Sequence, residues 1–411
     1  MKIKNAQRIA LNIPFVNRRV QRAMQRALTC EERVYVYRLQ LEDGTVGWGD
    51  ETVARPVDHL VGQNALALLQ NDGLGFGPQV ALYDAVGRAT DTPLHALLGP
   101  QVRDRSPLSW WAIDMAPRDW VAEAKTSLDQ GYTSFKIKAR PWWDIFAQIE
   151  ALEKVIPADY QLDIDFNGFL CKPAQAEIVL AKLDRYPNVG LYESPFHLFR
   201  DLDGARLLRQ RIGKPLVEHF RFDYLPAGCV DALVVYGGGL NKIRREAELA
   251  AAFNKPFWLQ LVGAGLTTAC AVHLGAVLSH AQLPSITCRG VWAHDLLQQS
   301  LTVQDGYVAV SDAPGLGVEV DEAAIERYRV AEDEPTPTAL YRRQKRILRI
   351  SWPGGNRHRR IWDFTDEAVY QPLFYGGDIP GFERGVRLDV IEDDSSPGFC
   401  RAHDKLLAAG R

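Results

Sequence analysis

The chain has little that would place it in a membrane or on a polyanion. No stretch approaches the roughly 18 consecutive apolar residues of a membrane span, and Met1-Lys2-Ile3-Lys4-Asn5 lacks the apolar core of a secretory signal. Basic and acidic residues nearly cancel, 48 Lys and Arg against 51 Asp and Glu, for a formal net charge of -3. That balance argues against nucleic acid as a partner. Six cysteines (Cys30, Cys171, Cys229, Cys270, Cys288 and Cys400) stand apart with no CxxC pair. They read as reduced thiols, not a disulfide frame or a thiolate zinc site. Internal repeats and low-complexity tracts are absent. What is left, 46% hydrophobic and 24% charged, is the composition of a globular protein expected in the cytoplasm. At 411 residues it is too long for one ordinary core. The composition is compatible with a homo-oligomer and does not specify one.

Three acids stand at the ends of strand-like runs. Asp165 closes Leu162-Asp163-Ile164-Asp165, Glu193 closes Val189-Gly190-Leu191-Tyr192-Glu193, and Glu218 closes Pro215-Leu216-Val217-Glu218. They lie 28 and 25 residues apart, the length of one strand, one helix and two loops. In a parallel barrel, successive strand ends meet at the C-terminal face, so such acids converge. Three hard oxygen ligands make a site for Mg²⁺. One strand earlier, Lys136 and Lys138 have the period-2 spacing that points both into the same mouth. A lysine beside a dication has a depressed pKa and can serve as a base, which suggests proton abstraction next to a carboxylate.

The surrounding pattern supplies such a barrel. Residues 1–105 read as an α+β capping domain, with a strand over Val34 to Leu41, a turn at Asp43-Gly44, a second strand over Val46 to Trp48, and helical periodicity from Val80 to Leu98. From Ser106 a βα rhythm sets in, with strands at Leu108–Ile113, Thr133–Lys138, Gln161–Asp165, Gly190–Glu193, Pro215–Glu218, Asp231–Val235, Phe257–Leu261 and Ser285–Thr287. Eight such units close a (β/α)8 barrel, assigned to residues 106–330 with a hairpin-like return over Val303 to Val320. Glu332 to Pro337 reads as a linker, and 331–411 as a C-terminal extension. Within it, Tyr341 to Arg360 carries eight Lys and Arg and no acid, and an acid-rich stretch follows. A phosphate site would need those bases on one face; the plainer reading is an appendage whose basic and acidic halves complement each other or the barrel.

Over residues 1 to 330 the chain resembles the enolase superfamily, in particular its mandelate racemase and muconate lactonizing enzyme branches. The resemblance rests on Asp43-Gly44-Thr45-Val46-Gly47-Trp48-Gly49, Phe135-Lys136-Ile137-Lys138, Asp163-Ile164-Asp165-Phe166-Asn167-Gly168, Tyr192-Glu193-Ser194-Pro195, Gly238-Gly239-Leu240 and Pro314-Gly315-Leu316-Gly317, in that order. It implies a dication held by acids on the third, fourth and fifth strands, an enolate formed from a carboxylate substrate, and an N-terminal cap over the pocket. The chain departs from the pattern on the fifth strand, where Glu218 stands three residues after Pro215 and His219 and Phe220 occupy the usual ligand positions. His219 is therefore the alternative third ligand. The lysine or Asp of strand six and the His of strand seven are missing, with Tyr236 and Gln260 in their region.

Each candidate has a plainer reading beside it. Lys138 is the expected base, and Lys136 an electrostatic partner of the substrate carboxylate or of a metal ligand; both could instead be exposed strand-end lysines. Asn167 is expected to orient a ligand or substrate, and Asp163 to be a structural acid deeper in the barrel. His294, beside Asp295 after strand eight, is either an acid at the mouth or a loop contact. Tyr236 and Gln260 are expected to orient substrate. Arg18, Arg19, Arg22 and Arg26 form either an anion-attracting lid or a solvated helical face. Trp110, Trp111, Trp142, Trp143 and Trp292 either narrow the pocket or pack under loops. The leading expectation is a Mg²⁺-dependent dehydratase of an acid sugar or related hydroxy acid. A cycloisomerase, or a racemase or epimerase, of the same superfamily is the alternative, and a non-catalytic binding protein on the same fold is the alternative of another class.

Overall fold

The architecture is mixed α/β, and the computed structural model describes residues 1–27, 29, 31–353 and 360–411. Cys30 and the 354–359 part of the basic run lie outside the described residues. Strands β1 (Ile3–Asn12), β2 (Arg33–Leu41) and β3 (Val46–Glu51) form an antiparallel sheet in that order. Alternation along β2 sends Tyr37, Leu39 and Leu41 into a small N-terminal core and Val34 and Val36 into the main one. Gly47 and Gly49 let the helix Phe76–Ala89 lie flat on β3, since a Cβ at either would stand 2.2 Å from a helix carbonyl. The periodicity from Val80 to Leu98 is divided between two helices, Phe76–Ala89 and Leu94–Leu98, because Pro93 cannot continue the first. Asp50, at the end of β3, accepts hydrogen bonds from Ala264 N (3.0 Å) and Thr267 N (2.9 Å), which ties this sheet to the start of the helix Gly265–Val277.

A short strand β4 (Arg105–Pro107) precedes a seven-stranded parallel sheet of β5 (Trp110–Ala112), β6 (Ser134–Lys138), β7 (Gln161–Asp165), β8 (Val189–Glu193), β9 (Leu216–His219), β10 (Ala232–Tyr236) and β11 (Phe257–Gln260), each beside the next. Helices occupy the connections, and the strand Gln161–Asp165 has the bounds the sequence pattern predicts. Around Ser285 the chain makes isolated parallel bridges on both sides, Leu108 with Ser285 and Gln260 with Ile286. The segment after Val303 turns back on itself through an antiparallel bridge of Gln304 with Tyr307, and β12 (Tyr307–Ala309) pairs antiparallel with β4.

The register of the parallel sheet decides what reaches its mouth. Lys138 is level with Asp165, Asp165 with Glu193, and Glu193 with Val217, so Glu218 stands one residue further on. The C-terminal segment is a folded unit with its own antiparallel sheet, in the order β14 (Arg360–Phe364), β13 (Arg346–Trp352), β15 (Arg387–Glu392), and helices Glu367–Gly376 and Pro397–Ala408. Its bases and acids do complement each other: Arg349 forks onto Asp363 with two 2.7 Å hydrogen bonds, and Arg346 pairs with Asp366.

Candidate active site

Lys136, Lys138, Asp165 and Glu193 meet as a buried cluster at the C-terminal ends of β6, β7 and β8. Lys138 Nζ donates to Asp165 Oδ2 (2.5 Å) and to Asn167 Oδ1 (3.1 Å). Lys136 Nζ lies between Glu193, which it contacts directly, and Asp165 (3.6 Å); it also donates to Gln260 Oε1 (2.5 Å) and sits 5.1 Å over the Trp258 ring. Burial pushes the Asp165 carboxyl up, but the ammonium groups of Lys138 and Lys136 outweigh it and hold the group below the usual carboxylate range. Burial lowers Lys136, and Glu193 and Asp165 raise it by more, so this lysine is a fixed cation.

The fifth strand divides its two candidates between opposite faces. Since Glu193 is level with Val217, alternation sends His219 to the face of Glu193 and Glu218 to the other. His219 Nε2 is 3.2 Å from Glu193 Oε1. Glu218 instead accepts from Ser194 Oγ (2.6 Å) and from its neighbour His219 N (2.8 Å), and burial pushes its pKa up to about 7. The expectation that Glu218 joins Asp165 and Glu193 is therefore not met by the geometry: a one-residue offset has turned it away. Both Glu193 oxygens are buried with no aligned hydrogen bond, although Lys136 and His219 lie within ion-pair range. Carboxylate oxygens that hold ion pairs but no aligned hydrogen bond, beside an anionic Asp165, suit a hard cation. Among the described residues, however, no three His, Cys, Asp or Glu side chains converge closely enough to hold a metal ion. Asp165 and Glu193 are thus the two carboxylates the cluster could offer a dication, and His219 lies beside Glu193.

The remaining candidates separate cleanly. Gln260 is within the cluster through Lys136. Tyr236 is half-exposed at the rim, its ring edge-to-face with His219 at 4.7 Å. Asp163 is buried below, accepts from Gln161 (2.7 Å), and is raised to about 7 by burial, as a structural acid would be. His294 makes contacts within its own loop region, Nδ1 accepting from Leu296 N (2.9 Å) and Nε2 lying 3.5 Å from Asp321. Trp142 and Trp143 both donate to Asp114 Oδ2, and Trp110 donates to Glu123 Oε2. Arg26 is neither solvated nor aimed at a ligand; it is buried, bonded to Asp114 and Glu367, while Arg19 pairs with Glu123. The sequence reading passed over Arg140, which donates to Asn167 Oδ1 (2.9 Å). Its spacing, two residues after Lys138, is the signal that would have found it.

The family model described as enolase C-terminal domain-like matches residues 119–324, half of the chain. The chain belongs to the enolase superfamily. Among curated relatives, D-galactonate dehydratase of Ralstonia nicotianae is 25% identical over 354 residues, covering 73% of this chain and 92% of that protein. The o-succinylbenzoate synthase of Geobacillus stearothermophilus is 25% identical over 293 residues, 67% of this chain and 76% of that one. Among solved structures, a mandelate racemase/muconate lactonizing family protein from Azoarcus sp. EbN1 superposes with a TM-score of 0.67 at 23% identity, over 81% of this chain and 98% of its own. These superfamily relatives are enzymes named for water loss or for synthesis of an aryl acid, and the fold is shared.

Proposed function

We propose that this chain removes the α-proton of a small carboxylate substrate to give an enolate, and that the reaction completed is loss of water from an acid sugar or related hydroxy acid. The observation that carries the reading is Lys138: buried, aimed by Asp165 and Asn167, and level with the acids of the next two strands. The name of the galactonate relative supports the substrate class. In this reading the parallel sheet is the wall of an eight-stranded (β/α)8 barrel over 106–330, residues 1–105 are its cap, and 331–411 an extension. The bridges flanking Ser285 support that closure.

Asp165 and Glu193 would hold Mg²⁺, with His219 preferred over Glu218 as the third protein group. The ion would stabilise negative charge developing on the substrate carboxylate, and its field beside Lys138 would favour the neutral amine. Lys138 Nζ takes the α-proton, and Asp165 and Asn167 keep its lone pair aimed at one face of the substrate. Lys136, held as a cation by Glu193 and Asp165, binds the substrate carboxylate by charge. Departure of β-hydroxide needs a proton, which the Lys138 ammonium returns on the same face. Gln260 and Tyr236 orient the rest of the substrate without transferring protons.

The turned Glu218 and the tight pairing of both lysines favour a second reading, a binding protein on the same scaffold. Incubating the protein with Mg²⁺ and a library of acid sugars in D₂O separates the two. α-Deuteration of any acid establishes proton abstraction, water loss establishes the lyase reading, and binding without either establishes the second.

A further inference from the structure

The segment after residue 335 lies beyond the matched family region of 119–324, yet it is built into the mouth of the parallel sheet. Its helix Glu367–Gly376 and the turn after it lie on the loops that follow β6 and β7. Tyr370 and Phe374 pack on Trp142 at 4.9 and 5.6 Å, and Phe382 packs on Phe166 at 5.5 Å. Backbone N–H donors fasten the same contact, Phe382 N to Pro141 O (3.0 Å) and Gly385 N to the Asp144 carboxylate Oδ2 (2.7 Å). At the other end, Arg26 of the helix Arg18–Arg26 reaches Glu367 (2.9 Å) while holding Asp114 (2.5 Å). The extension is therefore attached both to the helix Arg18–Arg26 and to the loops after β6 and β7.

One residue joins this attachment to the reacting group. Tyr375 stacks on Phe169 with ring centroids 4.0 Å apart, and its hydroxyl donates to the backbone carbonyl of Asn167 (3.0 Å). Asn167 has a left-handed backbone, φ +44°, and its side-chain Oδ1 accepts from both Lys138 and Arg140. A left-handed non-glycine residue is held by its surroundings and relaxes when they are removed. The main chain that Tyr375 fixes is thus the main chain that aims the acceptor of Lys138.

We propose that Tyr375, supplied by the C-terminal extension, is a positioning residue for Lys138 acting through Asn167, so that the extension is a working wall of the active site. This rests on the reading of Lys138 as the base. Tyr375→Phe keeps the ring stack and removes only the hydrogen bond, and Tyr375→Leu removes both. Two readouts are compared in the full-length protein. The first is the rate of acetic anhydride labelling at Lys138 relative to the exposed Lys125 at one pH, read by mass spectrometry and needing no substrate. The second is kcat and KM for whichever acid the wild type deuterates. The expected result is severalfold faster labelling of Lys138 in Tyr375→Phe, with a melting temperature unchanged from wild type. Where turnover is measurable, kcat should fall roughly tenfold or more with KM little changed, as for a misplaced catalytic group. Labelling that stays at the wild-type ratio in both variants overturns the proposal, as does a Tyr375→Phe variant with wild-type kcat. If no acid is turned over by the wild type, the function reading fails while labelling still decides the role of Tyr375.

Discussion

The mouth of the parallel sheet has two unlike sides. Around β6, β7 and β8 it is charged, buried and paired, with Lys138 only 7% exposed and the C-terminal extension packed over the adjoining loops. Around β10 and β11 it carries no acid or base in the cluster: Tyr236 is 48% exposed, and Gln260 serves Lys136. Between them, β9 contributes one imidazole inward and one carboxylate outward. Desolvated charges interact strongly and keep fixed geometry, whereas a half-exposed phenol is free to adapt. The first side is suited to proton transfer and the second to accommodating substrate. One-sided chemistry also explains why a racemase, which needs a base on each face of the α-carbon, fits this chain less well than a lyase.

The comparison can be broken most severely at the metal. If Asp165 and Glu193 hold Mg²⁺ as proposed, chelation should abolish turnover and added Mg²⁺ restore it; full activity in metal-stripped protein would sink the Mg²⁺ reading. Next in size is Lys138→Ala, expected to lower turnover by roughly 10²–10⁴ or more while metal binding persists. In the wild type, α-deuteration should occur for one configuration and not its antipode. Equal exchange of both would place a second base on the side that shows none.

The contrast within β9 gives a smaller effect. His219→Asn should weaken metal binding measured calorimetrically by about 10–100-fold, and Glu218→Gln should weaken it less; the reverse ranking would return Glu218 to the ligand set. The least effect concerns stability, on the far side of the sheet. His273, in the helix Gly265–Val277, donates from Nε2 to Leu316 O (3.1 Å), and burial lowers its pKa to about 4. A histidine depressed in the folded state contributes stability that is complete above its unfolded pKa and lost as pH falls toward the folded one. The His273 contribution, read as the difference in urea-derived stability between wild type and His273→Gln, should therefore be constant above pH 6.5 and decline toward pH 4, with about 2 kcal/mol lost by pH 5. A difference that does not change with pH would overturn that assignment.

Much of this was legible in the amino-acid order, for local reasons. Strands announce themselves by short apolar runs and acids at their ends, and helices by capping and periodicity, as at Asp144, which caps the helix Ile145–Leu152 with a 3.0 Å bond to Ala147 N. Period-2 spacing put Lys136 and Lys138 on one face, and unit spacing placed Asp165 and Glu193 beside them. Each of these inferences uses residues within one βα unit or its neighbour.

The sequence by itself determined the alternation of strands and helices and the identity of the charged cluster, because those follow from backbone geometry and short-range pattern. Only the tertiary structure decided which face of β9 looks inward. Register between strands is set by hydrogen bonding across the sheet, and an offset of one residue exchanges Glu218 for His219. Only the tertiary structure, too, brought Glu367 to Arg26 and Tyr375 to Asn167, pairs separated by 341 and 208 positions. Contacts at that range leave no periodic mark on the chain; they exist because packing buries aromatic faces that have no partner within their own segment.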